Sequence, residues 1–170
     1  SADRSTGWLG QHLVMEQDGE VTGILPCFLK NHSQGEYVFD HGWADAFERA
    51  GGDYYPKMQA AVPFTPASGR RLLVGNGPDS ERRKLMLAGG LQQVCEQIGA
   101  SSAHITFMEE DEWNLLGKQG YLRRNDQQFH WLNDGYEDFD GFLAALSSRK
   151  RKNIKKERAS ALADNGITIE

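Results

Sequence analysis

Residues 70–108 read RRLLVGNGPDSERRKLMLAGGLQQVCEQIGASSAHITFM. Residues 70–74 form a short apolar run fit for a strand. Gly75-Asn76-Gly77-Pro78 breaks it, and Asp79 or Ser80 stands where a helix N-cap is preferred. From there to about Ile98 the apolar residues Leu85, Ala88, Leu91, Val94, Cys95 and Ile98 fall on one helical face. Gly89-Gly90 inside that helix costs about 1 kcal/mol per glycine against alanine; close packing against a sheet is a sufficient reason for both. Gly99 ends the helix, and residues 103–108 resume as a strand. Strand, glycine turn, helix and strand in that order call for a mixed α/β sheet.

The flanks extend the same architecture. Residues 8–17 and 21–29 are two strand-like runs joined by Asp18-Gly19, a dipeptide suited to the positive φ angles of a tight hairpin. Residues 31–65 are irregular, with Pro56 and Pro63 excluding a long element. One or two helical turns are expected over 43–49, ended by Gly51-Gly52. A segment this long, with aromatic and ionisable residues interleaved, is more often a site than a scaffold. After residue 108 the pattern predicts a helix over 110–118, a strand over 121–132 and a long helix from Asp138 to Asp164. That helix has Phe139, Phe142, Leu143 and Leu146 on one face, and a further strand begins at Ile167-Thr168-Ile169.

The chain has 170 residues, 39% of them hydrophobic and 25% charged, which is globular composition and enough for one domain with a core. No apolar run approaches the roughly 20 residues of a membrane helix. The N-terminus has no signal-peptide layout and no Met, so a fragment of a longer, cytoplasmic protein is expected. Cys27 and Cys95 form no Cys-x-x-Cys pattern and read as buried thiols. Residues 147–158 hold seven basic residues and one acid, a local +6 that leaves -11 for the rest of a chain whose net charge is -5. The body is therefore acidic and would not itself seek nucleic acid, whereas this run could grip RNA or phosphates; a solvated connecting helix is the plainer reading.

Three places could carry chemistry. The Val74-Gly75-Asn76-Gly77 turn, with Arg82 in the first helical turn beyond it, offers backbone amides and a helix N-terminus to a phosphate. No Walker lysine follows. The tract from His32 to His41 holds Glu36 and Asp40, either of which could take a proton from an amine, and two histidines that could shuttle one. The spacing of His32 and His41 is no metal signature, and no metal is expected. Tyr54-Tyr55-Pro56-Lys57-Met58-Gln59 could line a pocket, with Lys57 meeting a carboxylate or phosphate. His104 and His130 lie in strand patterns and read as structural. No Gly-x-Ser-x-Gly elbow is present.

The tracts HSQGEYVFDHGWADA (32–46), YYPKMQAAVPFTPASGRRLL (54–73) and FHWLNDGYEDFDGFLAALSSRKRKNIKKER (129–158) closely resemble a family of bacterial proteins described as Fem-like. The same family is described as peptidoglycan biosynthesis/recognition-like and as predicted N-acyltransferases. The resemblance covers essentially the whole chain. It implies a GNAT-type acyl-CoA N-acyltransferase fold, a mixed, mostly antiparallel sheet flanked by helices. Residues 1–146 would be a first, N-terminally incomplete acyltransferase-like domain, 147–165 a basic linker helix, and 166–170 the start of a second domain.

The activity implied is acyl or aminoacyl transfer to an amine acceptor, a peptidoglycan precursor or a small molecule. Acyl-CoA or aminoacyl-tRNA would be the donor, with tRNA meeting residues 149–158. Glu36, Asp40 and His41 would be catalytic, and Val74, Gly75, Asn76, Gly77 and Arg82 would hold the donor. His32, Tyr55, Lys57 and Gln59 would contact the acceptor. Leu116 departs from the tyrosine acid of many acetyltransferases, which leaves a non-catalytic recognition module as the alternative.

Overall fold

In a computed structural model, residues 4–163 are described, and they divide into two compact units at residues 126 and 127. The expected strand at residues 167–169 lies outside the described residues. The first unit opens with a single 3-10 turn at Arg4–Thr6 and contains two sheets. Strands β1 (Trp8–Gly10), β2 (Leu13–Gln17), β3 (Glu20–Leu25) and β4 (Phe28–Lys30) come first. Helix α1 (His41–Arg49), β5 (Lys57–Ala60), β6 (Leu73–Val74), α2 (Ser80–Gln97), β7 (Ala103–Ile105) and α3 (Glu110–Lys118) follow. One sheet has the order β1-β4-β5-β7 and the other β2-β3-β6, all pairs antiparallel except β5 with β7.

The expected hairpin is present. Asp18 (φ 54°) and Gly19 (φ 83°) both take positive φ, the requirement of a two-residue primed turn whose twist matches its strands. Each long run of the hairpin nevertheless divides in two. Its outer ends, β1 and β4, pair in one sheet, and its inner ends, β2 and β3, pair in the other. The break on the second run falls at Pro26, which has no N–H to offer a ladder. There Gln11 N donates to Cys27 O at 2.9 Å and Cys27 N to His12 Nδ1 at 3.2 Å.

Helix α2 packs its Leu87, Ala88, Leu91 and Cys95 onto Leu25, Cys27, Met58, Ala60, Leu72 and Val74, so one core is shared by both sheets. Burying side chains of this size stabilises by roughly 1.5–3 kcal/mol each. A Cβ on Gly90 would come 3.2 Å from Leu13 Cδ2, while one on Gly89 would meet nothing. Close packing thus accounts for the second glycine of that pair and not the first. Helix α3 spans Glu110–Lys118 as its pattern predicts.

Two expected elements are absent. Residues 121–132 form no strand: Leu122, Phe129 and Leu132 are 94%, 88% and 79% exposed, and no ladder receives them. In the second unit the single long helix is two, α4 (Phe139–Ala145) and α5 (Ser148–Ala163). Leu146 is extended (ψ 154°), and Ser147-Ser148 restart the helix. Arg151 then donates to the carbonyls of Leu143, Ala144 and Leu146, at the end of α4 where carbonyls run short of helical donors; Leu143 O also accepts from Leu146 N. Asp138 caps α4 through Gly141 N at 2.7 Å. None of the described residues of α5 is buried.

Candidate active site

The four-stranded sheet has two unlike faces, because side chains alternate along a strand. Met58 and Ala60 of β5 face the core under α2. Lys57 and Gln59 therefore face the other way. The register carries that parity across the sheet: Trp8 pairs with Lys30, Lys30 with Lys57, Phe28 with Gln59, and Gln59 with His104. Trp8, Lys30, Lys57 and Gln59 are all 0% exposed. A fully buried face carrying two lysines and a glutamine is unusual, since such groups are rarely buried without partners.

Their cover is the irregular segment between β4 and α1. Lys57 Nζ donates to Ser33 Oγ at 2.9 Å, to Glu36 Oε2 at 2.8 Å and to Asp40 Oδ2 at 2.5 Å. These bonds saturate an ammonium. Tyr54 OH donates to the same Asp40 oxygen at 2.9 Å, and Ser33 Oγ shares a 2.8 Å bond with Tyr55 OH. Asp40 holds the N-cap position of α1 yet makes no cap bond with its side chain; its carboxylate serves the lysine instead.

Electrostatics separate the two carboxyl groups. Burial pushes Asp40 up, but hydrogen bonds from Lys57, Ser33 and Tyr54 outweigh it and hold the group at about 2. At Glu36 burial prevails over Lys57, and the pKa is raised. Paired acids tuned in opposite directions are the usual basis for dividing a stabilising role from a proton-carrying one. Lys30 is pushed down to about 8 by burial, which the neighbouring Lys57 charge reinforces and Glu36 opposes. His104 falls to about 4, first through burial and then through Lys57, so it is a neutral imidazole; its Nε2 meets Ser102 Oγ at 2.8 Å.

Four buried side-chain atoms in this region have no hydrogen-bond partner among the described residues: Trp8 Nε1, Glu36 Oε1, Asp40 Oδ1 and Gln59 Oε1. Each unsatisfied buried group costs about 1–3 kcal/mol. Buried polar groups normally find a partner in protein, water or ligand, so these four are where such a partner would bind.

Of the residues singled out from the sequence, Glu36, Asp40, Tyr55 and Lys57 come together, with Gln59 on the same face. His41 opens α1 and is exposed. His32 is half-buried, and its Nδ1 accepts from Gln34 N at 3.2 Å within its own turn. Val74 is core, paired with Gly23, while Gly75, Asn76, Gly77 and Arg82 are exposed at the start of α2. A Cβ on Gly75 or Gly77 would meet nothing within 4 Å, so the turn is open to a ligand. The structure adds Trp8, Lys30 and Ser33. For Lys30 the sequence did hold a signal: it lies two residues from Phe28 on a strand, hence on the same buried face. Among the described residues no three His, Cys, Asp or Glu side chains gather as a metal set, and no helix is long and apolar enough to cross a membrane.

The model of the FemAB-like family, described as peptidoglycan biosynthesis/recognition, matches residues 1–170. No curated protein and no solved structure matches the chain significantly.

Proposed function

The chain belongs to the FemAB-like family of peptidoglycan biosynthesis/recognition, and from that membership we propose that it is a cytoplasmic N-acyltransferase acting on an amine acceptor. The observation that carries this reading is the opposite tuning of Glu36 and Asp40 about one buried lysine. Asp40 stays ionised and fixes Lys57. Glu36, whose Oε1 has no hydrogen-bond partner among the described residues, is the group that can exchange a proton.

In the reaction, the acceptor nitrogen attacks the carbonyl carbon of a thioester or ester donor. The new C–N bond forms as the C–S or C–O bond breaks. The proton leaving nitrogen passes to the Glu36 carboxylate and from there to the departing thiolate or alkoxide. The donor, acyl-CoA or aminoacyl-tRNA, would lay its phosphates at the open Gly75–Gly77 turn and the first turn of α2, near Arg82. In this reading β6, the glycine turn and α2 would play the part that the strand, phosphate-binding turn and helix play in a GNAT-type fold. In α5, Arg149, Lys150, Lys152 and Lys156 are exposed and are the side chains a tRNA backbone would meet. The acceptor would be a peptidoglycan precursor or another small amine.

Calorimetry and product analysis with acetyl-CoA, longer acyl-CoAs and aminoacyl-tRNA test the reading. Binding of one donor, with turnover lost in Glu36→Gln while the fold persists, is the expected result. No binding to any donor defeats it. One observation favours a recognition module instead: Leu116 is 2% exposed and packed in the core, so the position offers no acid. A recognition module would bind an acceptor in the same experiments and show no turnover.

A further inference from the structure

Beside the Glu36–Lys57–Asp40 cluster lies a second constellation of opposite polarity. Lys30 Nζ sits 3.8 Å from the centroid of the Trp8 ring and donates to Gln34 O at 3.1 Å. An ammonium has three N–H donors, so one bond and one ring face leave a donor over. The Trp8 indole N–H is buried and donates to no described residue. Two donors, one charged, therefore stand beside the same ring with no acceptor assigned to them.

The cover over Trp8 Nε1 is equally specific. Gly35 (φ 77°) lies against it, and a Cβ there would come 3.2 Å from Trp8 Nε1 and press into the Phe64 ring. Phe64 also holds a positive φ of 60°, and its N donates to Gly35 O at 3.1 Å. Positive φ costs a residue with a side chain roughly 1–2 kcal/mol, so this arrangement is held by its surroundings. The Phe64 ring, 5.7 Å from that of Trp8, is 43% exposed.

Charge decides what could enter. Two lysines and two carboxyl groups share the neighbourhood. Lys57 is fully occupied by its three acceptors. When Glu36 carries a proton the four groups sum to one positive charge, and its carboxyl becomes a donor as well. A monoanion neutralises the set; a dianion overcompensates it. We propose that Trp8 Nε1 and Lys30 Nζ form a binding site for a carboxylate group on the ligand. One oxygen of the carboxylate accepts the in-plane indole N–H and the other accepts from the ammonium above the ring. The proposal shares a sheet face with the acyltransfer reading and rests on it only for its use, the orientation of a carboxylate-bearing acceptor.

The protein has four tryptophans, whose indole N–H signals are separable by 15N NMR. The Trp8 signal is identified by its loss in Trp8→Phe, or, should that variant not fold, by its through-space contact with the Phe28 ring. Sodium acetate is titrated against sodium chloride at matched ionic strength. The expected result is a saturable shift of the Trp8 signal with acetate alone, weakened about tenfold or more in Lys30→Met. An unmoved Trp8 signal, an equal response to chloride, or an unchanged acetate affinity in Lys30→Met overturns the proposal. The titration needs no turnover, so it can succeed where every acyl donor fails, and fail where a donor is turned over.

Discussion

Lys30 and Lys57 face each other across neighbouring antiparallel strands, and both are fully buried. Like charges opposed in a sheet destabilise it. The pair stands because Glu36 and Asp40 descend on Lys57 from the segment between β4 and α1. The fold at this point depends on a loop supplying charge to a strand.

Replacing Lys57 by Met removes the cation and leaves two buried carboxyl groups facing one another. Stability is expected to fall by about 3–5 kcal/mol, the usual cost of breaking a buried pair from one side. Urea unfolding near neutral pH measures the loss. The deficit should narrow as pH is lowered into the carboxylate range, and an equal deficit at all pH values would place the cost in packing instead.

Lys30 gives stability an alkaline signature. Its pKa is lowered from 10.5 to about 8 in the folded protein, so between these values the unfolded chain binds more protons than the folded one. Stability attributable to Lys30 therefore rises with pH across that window, at a slope of up to about 1.4 kcal/mol per pH unit. Cys27, raised by burial to about 11, acts in the opposite sense from its unfolded pKa upward. The difference between wild type and Lys30→Met isolates the lysine: the wild type should gain on the variant between pH 8 and 10.5. No relative gain would show that Lys30 titrates normally.

Tyr54→Phe deletes one of the hydrogen bonds that hold the Asp40 carboxyl down. The Asp40 titration, followed by carboxyl 13C NMR, should move upward. The protein should lose about 1.5–3 kcal/mol, the worth of a hydrogen bond to a charged group. An unmoved titration would mean that the phenol finds another partner in solution.

Glu112, fully buried on α3, accepts Arg71 N at 2.8 Å and Leu72 N at 3.3 Å, just before β6. Glu112→Ala strands two buried backbone donors and should cost roughly 2–4 kcal/mol. Glu112→Gln keeps one acceptor and should cost clearly less. Thermal unfolding of the two variants checks the order, and equal losses would assign the effect to the Lys84 ion pair at 3.5 Å instead.

Much of the element order was legible without coordinates. Asp18-Gly19 specified the hairpin because its turn needs two positive φ angles. Gly51 and Gly99 ended α1 and α2. Of the stripe from Leu85 to Ile98, Ala88, Leu91 and Cys95 are buried; Leu87, outside the stripe, is buried with them, and Ile98 at the helix end is 41% exposed. These are local effects, settled within a few residues. Tyr121 to Leu132 misled for the same reason: its composition favours a strand, but a strand exists only when another strand takes its N–H and C=O groups, and none of the described strands does. The long helix from Asp138 failed at Ser147-Ser148, whose preference for caps outweighed the run of helix formers around it.

The site divides along the same line. Glu36, Asp40 and Lys57 could be named from the sequence, because an acid-rich loop and a lysine beside two tyrosines are visible as composition. That Lys57 lies between the two acids, that Lys30 is its cross-strand neighbour, and that Trp8 brings to the same face an N–H with no partner among the described residues were decided only by the register of β1, β4 and β5. Register assigns each side chain to a face, and a slip of one residue would have sent all of them into the apolar core. The sequence by itself determined which residues could carry charge and where the chain could turn; the tertiary structure decided which charges meet. Burial then set their protonation, because removal from water weakens an ion by an amount that depends on every neighbour around it.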